Sequence, residues 1–286
     1  MPRKLAFGVP EFQTLYLSRL SDVSMRIPYF QVNAFTSAPF GGNPAGVCIL
    51  ERWLPDDLLQ RIAAENGFSE TAFLKRQNDH YDLRWMTPAV EVDLCGHATL
   101  ASAFVLFSEL GFKQDRVFFQ TRSGRLSAAR RQDLLELDFP SRPPKPCPIP
   151  EKLVQGLGAK PTELLKSRDF VAVFHSAEEV ASLTPNFSLL QELDCLGIIV
   201  TAKGTSADFV SRFFAPGAGV DEDPVTGSAH CSLIPFWAER LGKSELFAKQ
   251  ISKRGGELYC RNLGERVGIA GNARVYCRGE IDVTGA

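Results

Sequence analysis

The sequence has almost no net charge, no closely paired cysteines and no long apolar run, and each absence removes a class of function. Lys and Arg number 32 against 33 Asp and Glu, a formal charge of -1 over 286 residues. A nucleic-acid or membrane-surface partner needs a basic excess that is missing here. No stretch reaches the roughly 18–20 consecutive apolar residues that span a bilayer. The seven cysteines and four histidines show neither a C-x-x-C pair nor a Cys/His spacing of the zinc type, so no metal is expected. Cys48, Cys95, Cys195 and Cys231 sit among apolar residues, the setting of reduced, buried thiols in a cytoplasmic protein. The first 24 residues carry Arg3, Lys4 and a short apolar stretch broken by Pro10, without the long hydrophobic region of a signal peptide. Residues 1–26 are therefore expected to form a poorly ordered extension, with Met25 as an alternative start.

What is present is globular: 44% hydrophobic and 23% charged residues, with 21 phenylalanines that suit a β-rich interior. Strands are expected at Tyr29–Phe35, Ala45–Leu50, Thr71–Lys75, Tyr81–Met86, Val117–Thr121, Arg125–Ala129 and Leu134–Phe139. A second set follows at Phe170–Phe174, Gly197–Thr201, Asp208–Phe214, Glu257–Cys260, Arg266–Ala270 and Arg274–Cys277. Asp56–Glu65, after Pro55 and with an acidic first turn, reads as a helix. Gly96–Gly111 reads as another, and from Ala98 to Phe107 it holds no charge, so it should be buried on every side. Gly227–Leu241 is a third, in which Pro235 should kink the helix. The proline cluster of residues 140–150 marks a boundary between lobes at 27–142 and 143–286, with the last strand able to return to the first lobe.

The two halves echo each other. Pro88 precedes Asp93 by the same five positions that separate Pro216 from Asp221, and both Gly96–Gly111 and Gly227–Gly242 span fifteen. The second copy carries three extra residues, placed by this match at or near Glu222-Asp223-Pro224. Arg122-Ser123-Gly124-Arg125-Leu126 then matches Arg254-Gly255-Gly256-Glu257-Leu258. Two lobes with facing helix ends follow from such a duplication. Gly96-His97-Ala98 and Gly227-Ser228-Ala229 open those helices with unpaired N–H groups that attract a carboxylate or phosphate. The turn Gly41-Gly42-Asn43-Pro44 should line the same cleft.

Among candidate acid/base groups, Glu65 follows Ile62-Ala63-Ala64, and apolar surroundings raise a carboxyl pKa toward neutrality. A solvated helix-end glutamate is the bland alternative. Glu70 is read as pairing with a strand neighbour, and Asp223 as either an asymmetric functional group or a helix cap.

The segments Phe30–Phe35, Gly42–Gly46, Glu65 with Ser69–Phe73, Cys95–Thr99 and Glu222–Ala229 together resemble the PhzF-like family of phenazine biosynthesis. The resemblance implies an α+β protein of diaminopimelate epimerase-like fold: two pseudo-symmetric lobes, each a barrel-like β-sheet around a central helix. It implies a homodimer and a cofactor-independent isomerase that shifts a proton within a small carboxylate-bearing substrate. Carried onto this sequence, it makes Glu65, His97 and Asp223 catalytic, and Gly96 and Ser228 substrate-binding; Asn43, Cys95 and Gly227, at the turn and the helix mouths, are expected to bind substrate with them. Cys95 lies where two-thiol racemases of that fold keep one catalytic cysteine. The second mouth offers no matching thiol, which disfavours a two-thiol racemase; an epimerase or racemase using Cys95, or a non-catalytic small-molecule binding protein, are the alternatives.

Overall fold

The computed structural model describes residues 25–286; the expected N-terminal extension, up to residue 24, lies outside the described residues. The first lobe runs β1 (Arg26–Ala34), β2 (Asn43–Leu50), α1 (Asp56–Asn66), β3 (Thr71–Arg76), β4 (Tyr81–Met86), β5 (Glu91–Val92), α2 (Gly96–Phe104), β6 (Arg116–Thr121), β7 (Gly124–Arg131) and β8 (Leu134–Pro140). The second begins with β9 (Lys145–Pro146), α3 (Glu151–Leu157), β10 (Glu163–Lys166), β11 (Phe170–Val173), α4 (Ala177–Ser182) and α5 (Phe187–Leu190). It continues with β12 (Ile198–Lys203), β13 (Phe209–Ala215), β14 (Val220–Asp223), α6 (Gly227–Leu241), β15 (Glu245–Gln250), β16 (Gly256–Asn262), β17 (Arg266–Gly271) and β18 (Ala273–Asp282).

The duplication is visible in the strand pairing. In the first lobe β2 and β3 are parallel, β3–β4 antiparallel, β4 and β6 parallel, and β6–β7–β8 antiparallel. The second lobe repeats the order with β11, β12, β13, β15, β16 and β17. The sheets are stitched together: β8 pairs antiparallel with β17, and β18 returns to pair with β1.

Each lobe wraps its sheet around one helix. α2 packs against β1, β2, β3, β7 and β8, and every residue from Gly96 to Ala103 is buried. α6 packs against β15, β16 and β17. The charge-free sequence has this physical meaning: a helix surrounded by sheet has no face on which a charge could be solvated. The α-helical part of the first stops at Phe104 and continues as a π turn over Val105–Glu109, ending near Gly111 in the left-handed region. Pro235 lies inside a continuous α6. The carbonyl it cannot serve, that of Cys231, accepts the Arg142 N–H at 2.9 Å, so the missing helical bond ties down the chain between the lobes.

Two expectations need correction. By register, Thr71 pairs Met86 as Ile198 pairs Phe214, and Trp85 pairs Val92 as Phe213 pairs Asp223. Val92 and Asp223 are thus equivalent, each four residues before its helix glycine. The three extra residues fall upstream, in the turn between β13 and β14, which carries a 3-10 turn at Pro216–Ala218. The Pro–Asp spacing misled because it aligned turns of different length. The pairing of Arg84 with Glu91 and of Arg212 with Glu222, bidentate in both lobes, confirms the register. Cys195 is only half-buried, whereas Cys48, Cys95, Cys231 and Cys260 are buried; all seven cysteines are free.

Candidate active site

The two central helices meet end to end. A Cβ placed on Gly96 would lie 2.9 Å from Gly227 Cα, so only glycine lets the backbones approach this closely. No side chain caps either first turn, which leaves N–H groups of both helices open at the seam between lobes. The turn before β2 is fixed just as tightly. Gly42 has φ +67 and a Cβ there would lie 2.2 Å from Ala34 O. Arg254 of the other lobe donates to the carbonyls of Gly41 and Gly42. That turn delivers Asn43, fully buried, into the seam.

Asn43 is the hub. Its Nδ2 donates to Asp223 Oδ1 at 2.8 Å and to Val225 O at 3.0 Å, and lies 3.0 Å from His97 Nδ1. Thr226 Oγ1 donates to the other Asp223 oxygen. Gln250 Nε2 donates to the Asp223 carbonyl at 2.7 Å while its Oε1 accepts from Thr226 N–H. Burial raises the Asp223 pKa to about 6 against these hydrogen bonds, which favour the ionised form. His97 is 4% exposed, and burial lowers its pKa to about 3, so the ring is neutral. With Nδ1 facing the Asn43 amide, the ring proton belongs on Nε2, which faces Glu70 Oε2 at 3.2 Å.

Glu70 stands just before β3, with 18% of its side chain accessible. Burial, and then the charge of Asp223, raise its pKa to about 8, partly offset by a hydrogen bond from Cys95. Cys95 precedes α2, with Sγ 3.6 Å from His97 Nδ1. Burial and the neighbouring Glu70 push its thiol well above the ordinary range, so it is a neutral thiol and not a nucleophile. On the second lobe, Ser228 Oγ accepts from Arg168 Nη2 at 3.1 Å, and the Arg168 guanidinium is held by the buried carboxylate of Asp169.

Of the residues expected from sequence, His97, Asp223, Asn43 and Cys95 share one contact network, and Gly96, Gly227 and Ser228 form the helix mouths beside it. Glu65 does not join them: it is exposed on α1. The apolar stripe of that helix runs Leu58, Leu59, Ile62, Ala63 and onward to Asn66, whose amide donates to Thr71 Oγ1 at 3.1 Å. Apolar neighbours in sequence are not neighbours on a helix, and Glu65 projects off the stripe. Glu70 occupies the place expected of Glu65. Gln250, Thr226 and Arg168 also belong to the site; Thr226 directly precedes Gly227 and bonds Asp223 locally, whereas Gln250 and Arg168 carry no local signal, since they reach Thr226 and Ser228 across 24 and 60 residues.

Residues 32–279 match the family model of phenazine biosynthesis-like proteins. An uncharacterized isomerase of Pseudomonas aeruginosa is 51% identical, over 90% of this chain and 99% of its own. A human phenazine biosynthesis-like domain-containing protein is 41% identical with the same coverage. The crystal structure of a PhzF-family protein from Enterococcus faecalis superposes with a TM-score of 0.88 at 46% identity, covering 90% of this chain and 99% of that one. A hydroxyproline epimerase from Agrobacterium vitis shares the fold alone, with a TM-score of 0.60 at 10% identity.

Proposed function

The chain belongs to the phenazine biosynthesis-like (PhzF-like) family, and from that premise we propose that it is a cofactor-independent isomerase whose acid/base is Glu70. The observation that carries this reading is a sheltered carboxyl with a pKa near 8, held against His97 Nε2 at the junction of two uncapped helices. A base working near neutrality needs that acidity.

The substrate is a small molecule bearing a carboxylate next to an unsaturated system. Its carboxylate sits against the first-turn N–H groups and Ser228, with Arg168 behind the hydroxyl. Ionised Glu70 takes a proton from carbon; the electron pair enters the conjugated carboxylate, where the helix-end donors stabilise it. Protonated Glu70 then returns the proton to a different carbon. The neutral His97 ring faces the carboxyl through Nε2, and Asp223 accepts a hydrogen bond from a substrate amine or hydroxyl. Orientation and preorganised charge supply most of the barrier reduction.

A two-thiol racemase is the weaker reading. Cys95 is a buried neutral thiol, and its counterpart by register in the second lobe is Thr226. The counterpart of Glu70 is Gly197, where a Cβ would lie 2.2 Å from the Phe213 ring, so no second base fits there.

The test is a solvent-deuterium exchange screen of unsaturated amino- and hydroxycarboxylates. Wild type and Glu65→Gln are expected to incorporate deuterium into the same compound, while Glu70→Gln binds it without exchange. Exchange surviving in Glu70→Gln, or lost in Glu65→Gln, overturns the assignment. A compound bound tightly by wild type without exchange would favour a binding protein.

A further inference from the structure

The acid/base cluster has a property that proton transfer does not require. Glu70, Cys95 and His97 each offer one ligand atom, and the three atoms lie within 4.8 Å of one another. Oxygen, thiolate sulfur and imidazole nitrogen are the donor types that zinc accepts in a tetrahedral site. His97 Nε2 and Glu70 Oε2 are buried without an aligned hydrogen-bond partner, although only 3.2 Å apart. Two unpartnered polar atoms facing each other at that depth are costly, and a cation between them satisfies both. Charge also balances: a divalent cation with one thiolate, one carboxylate and a neutral imidazole is electroneutral, which burial demands.

We propose that Glu70, Cys95 and His97 form a capture site for a thiophilic divalent cation of the zinc type, and that its occupation closes the catalytic centre. The cation binds Glu70 Oε2, Cys95 Sγ and His97 Nε2, with solvent as fourth ligand on the accessible side of Glu70. The Cys95 proton, and that of Glu70 where present, leave to solvent. The imidazole proton moves to Nδ1 and turns from the Asn43 amide nitrogen, a donor that cannot accept it, to the new thiolate 3.6 Å away. The site was not legible in the sequence because Glu70 precedes β3 while Cys95 and His97 open α2, so no ligand spacing exists along the chain. Binding stands on donor geometry alone; the loss of activity rests on Glu70 being the acid/base.

Cobalt(II) is the probe, added to protein in which the exposed thiol is removed by Cys277→Ser. One equivalent is expected to give a thiolate-to-cobalt charge-transfer band and the intense visible bands of a tetrahedral ion, both displaced by zinc. Cys95→Ser should abolish the charge-transfer band, and Glu70→Gln, which keeps the thiol and the fold, should weaken binding at least tenfold. Absence of these bands, or their persistence in Cys95→Ser, overturns the proposal. Zinc should also stop deuterium exchange, with recovery on chelation and resistance in Cys95→Ser. Tetrahedral cobalt bands in a protein whose exchange zinc leaves intact would contradict the closure while preserving the binding.

Discussion

Matched through their strand register, the two lobes agree in topology, helix position and Arg–Glu pairing, and differ where side chains enter the seam. The first lobe places Glu70, Cys95 and His97 where the second has Gly197, Thr226 and Ser228. The second places Asp223 and Gln250 where the first has Val92 and Thr121. In the proposed mechanism one half supplies the proton-transfer group and its neutral partners. The other supplies a hydrogen-bonded carboxylate and the Arg168–Ser228 pair. A duplicated scaffold gives two helix ends facing one cleft, and the divergence of a few positions divides the labour between them.

The largest test of this division is Asp223→Asn, which keeps the side-chain shape while removing the buried carboxylate. A loss of about 100-fold in kcat/KM is expected, mostly in KM, because the proposed mechanism has Asp223 orient substrate and not carry the proton. An equal fall in kcat alone would move Asp223 into the proton-transfer role.

Next in size is the glycine seam. Gly96→Ala or Gly227→Ala inserts a Cβ 2.9 or 3.1 Å from the opposing backbone, forcing the helix ends apart. A destabilisation of roughly 1–3 kcal/mol is expected by denaturant titration, together with weakened substrate binding. Unchanged stability in both variants would show that the ends are not in contact.

The pH dependence separates the lobes by sign. Glu70 is raised from 4.5 to about 8, so the folded state holds a proton that the unfolded state has lost, and stability must fall as pH rises across that interval. Asp223, raised to about 6, acts the same way at lower pH. His97 and His230, lowered to about 3 and about 4, oppose both up to the ordinary histidine value of 6.5. Between about pH 6.5 and 8 the Glu70 effect stands alone among these groups, and a decline of roughly 1–2 kcal/mol is expected there, absent in Glu70→Gln. Over the same range kcat/KM should rise toward a plateau above about pH 8, as the free carboxyl ionises.

Smallest is Cys95→Ser, expected to reduce kcat/KM less than tenfold, since the thiol only donates to Glu70 and lies beside His97. A loss as large as that of Glu70→Gln would restore the thiol as a catalytic acid.

Much of the architecture was legible because it follows from simple constraints. A charge-free stretch between two glycines can only be interior, and equal glycine spacing in two halves reports a duplication. His97, Asn43, Cys95 and Asp223 were legible because they lie beside those glycines. The confusion of Glu65 with Glu70 arose from reading apolar neighbours along the chain, when the helix sets the relevant neighbours by its period. β10, β15 and the short helices α3 to α5 escaped because none has a long periodic run; α4 and α5 are fixed by local caps from Ser176 and Asn186. The Gln250 and Arg168 contributions depend on long-range pairing, which no local pattern encodes.

The central claim concerns one carboxyl group, and it can be tested without knowing the substrate. Protein labelled with carbon-13 at the glutamate side-chain carboxyl, titrated by NMR, is expected to show one resonance with a midpoint near pH 8 that is missing from Glu70→Gln and unchanged in Glu65→Gln. If every glutamate titrates in the ordinary carboxyl range, or if the high-pH resonance disappears with Glu65 instead, the account is contradicted.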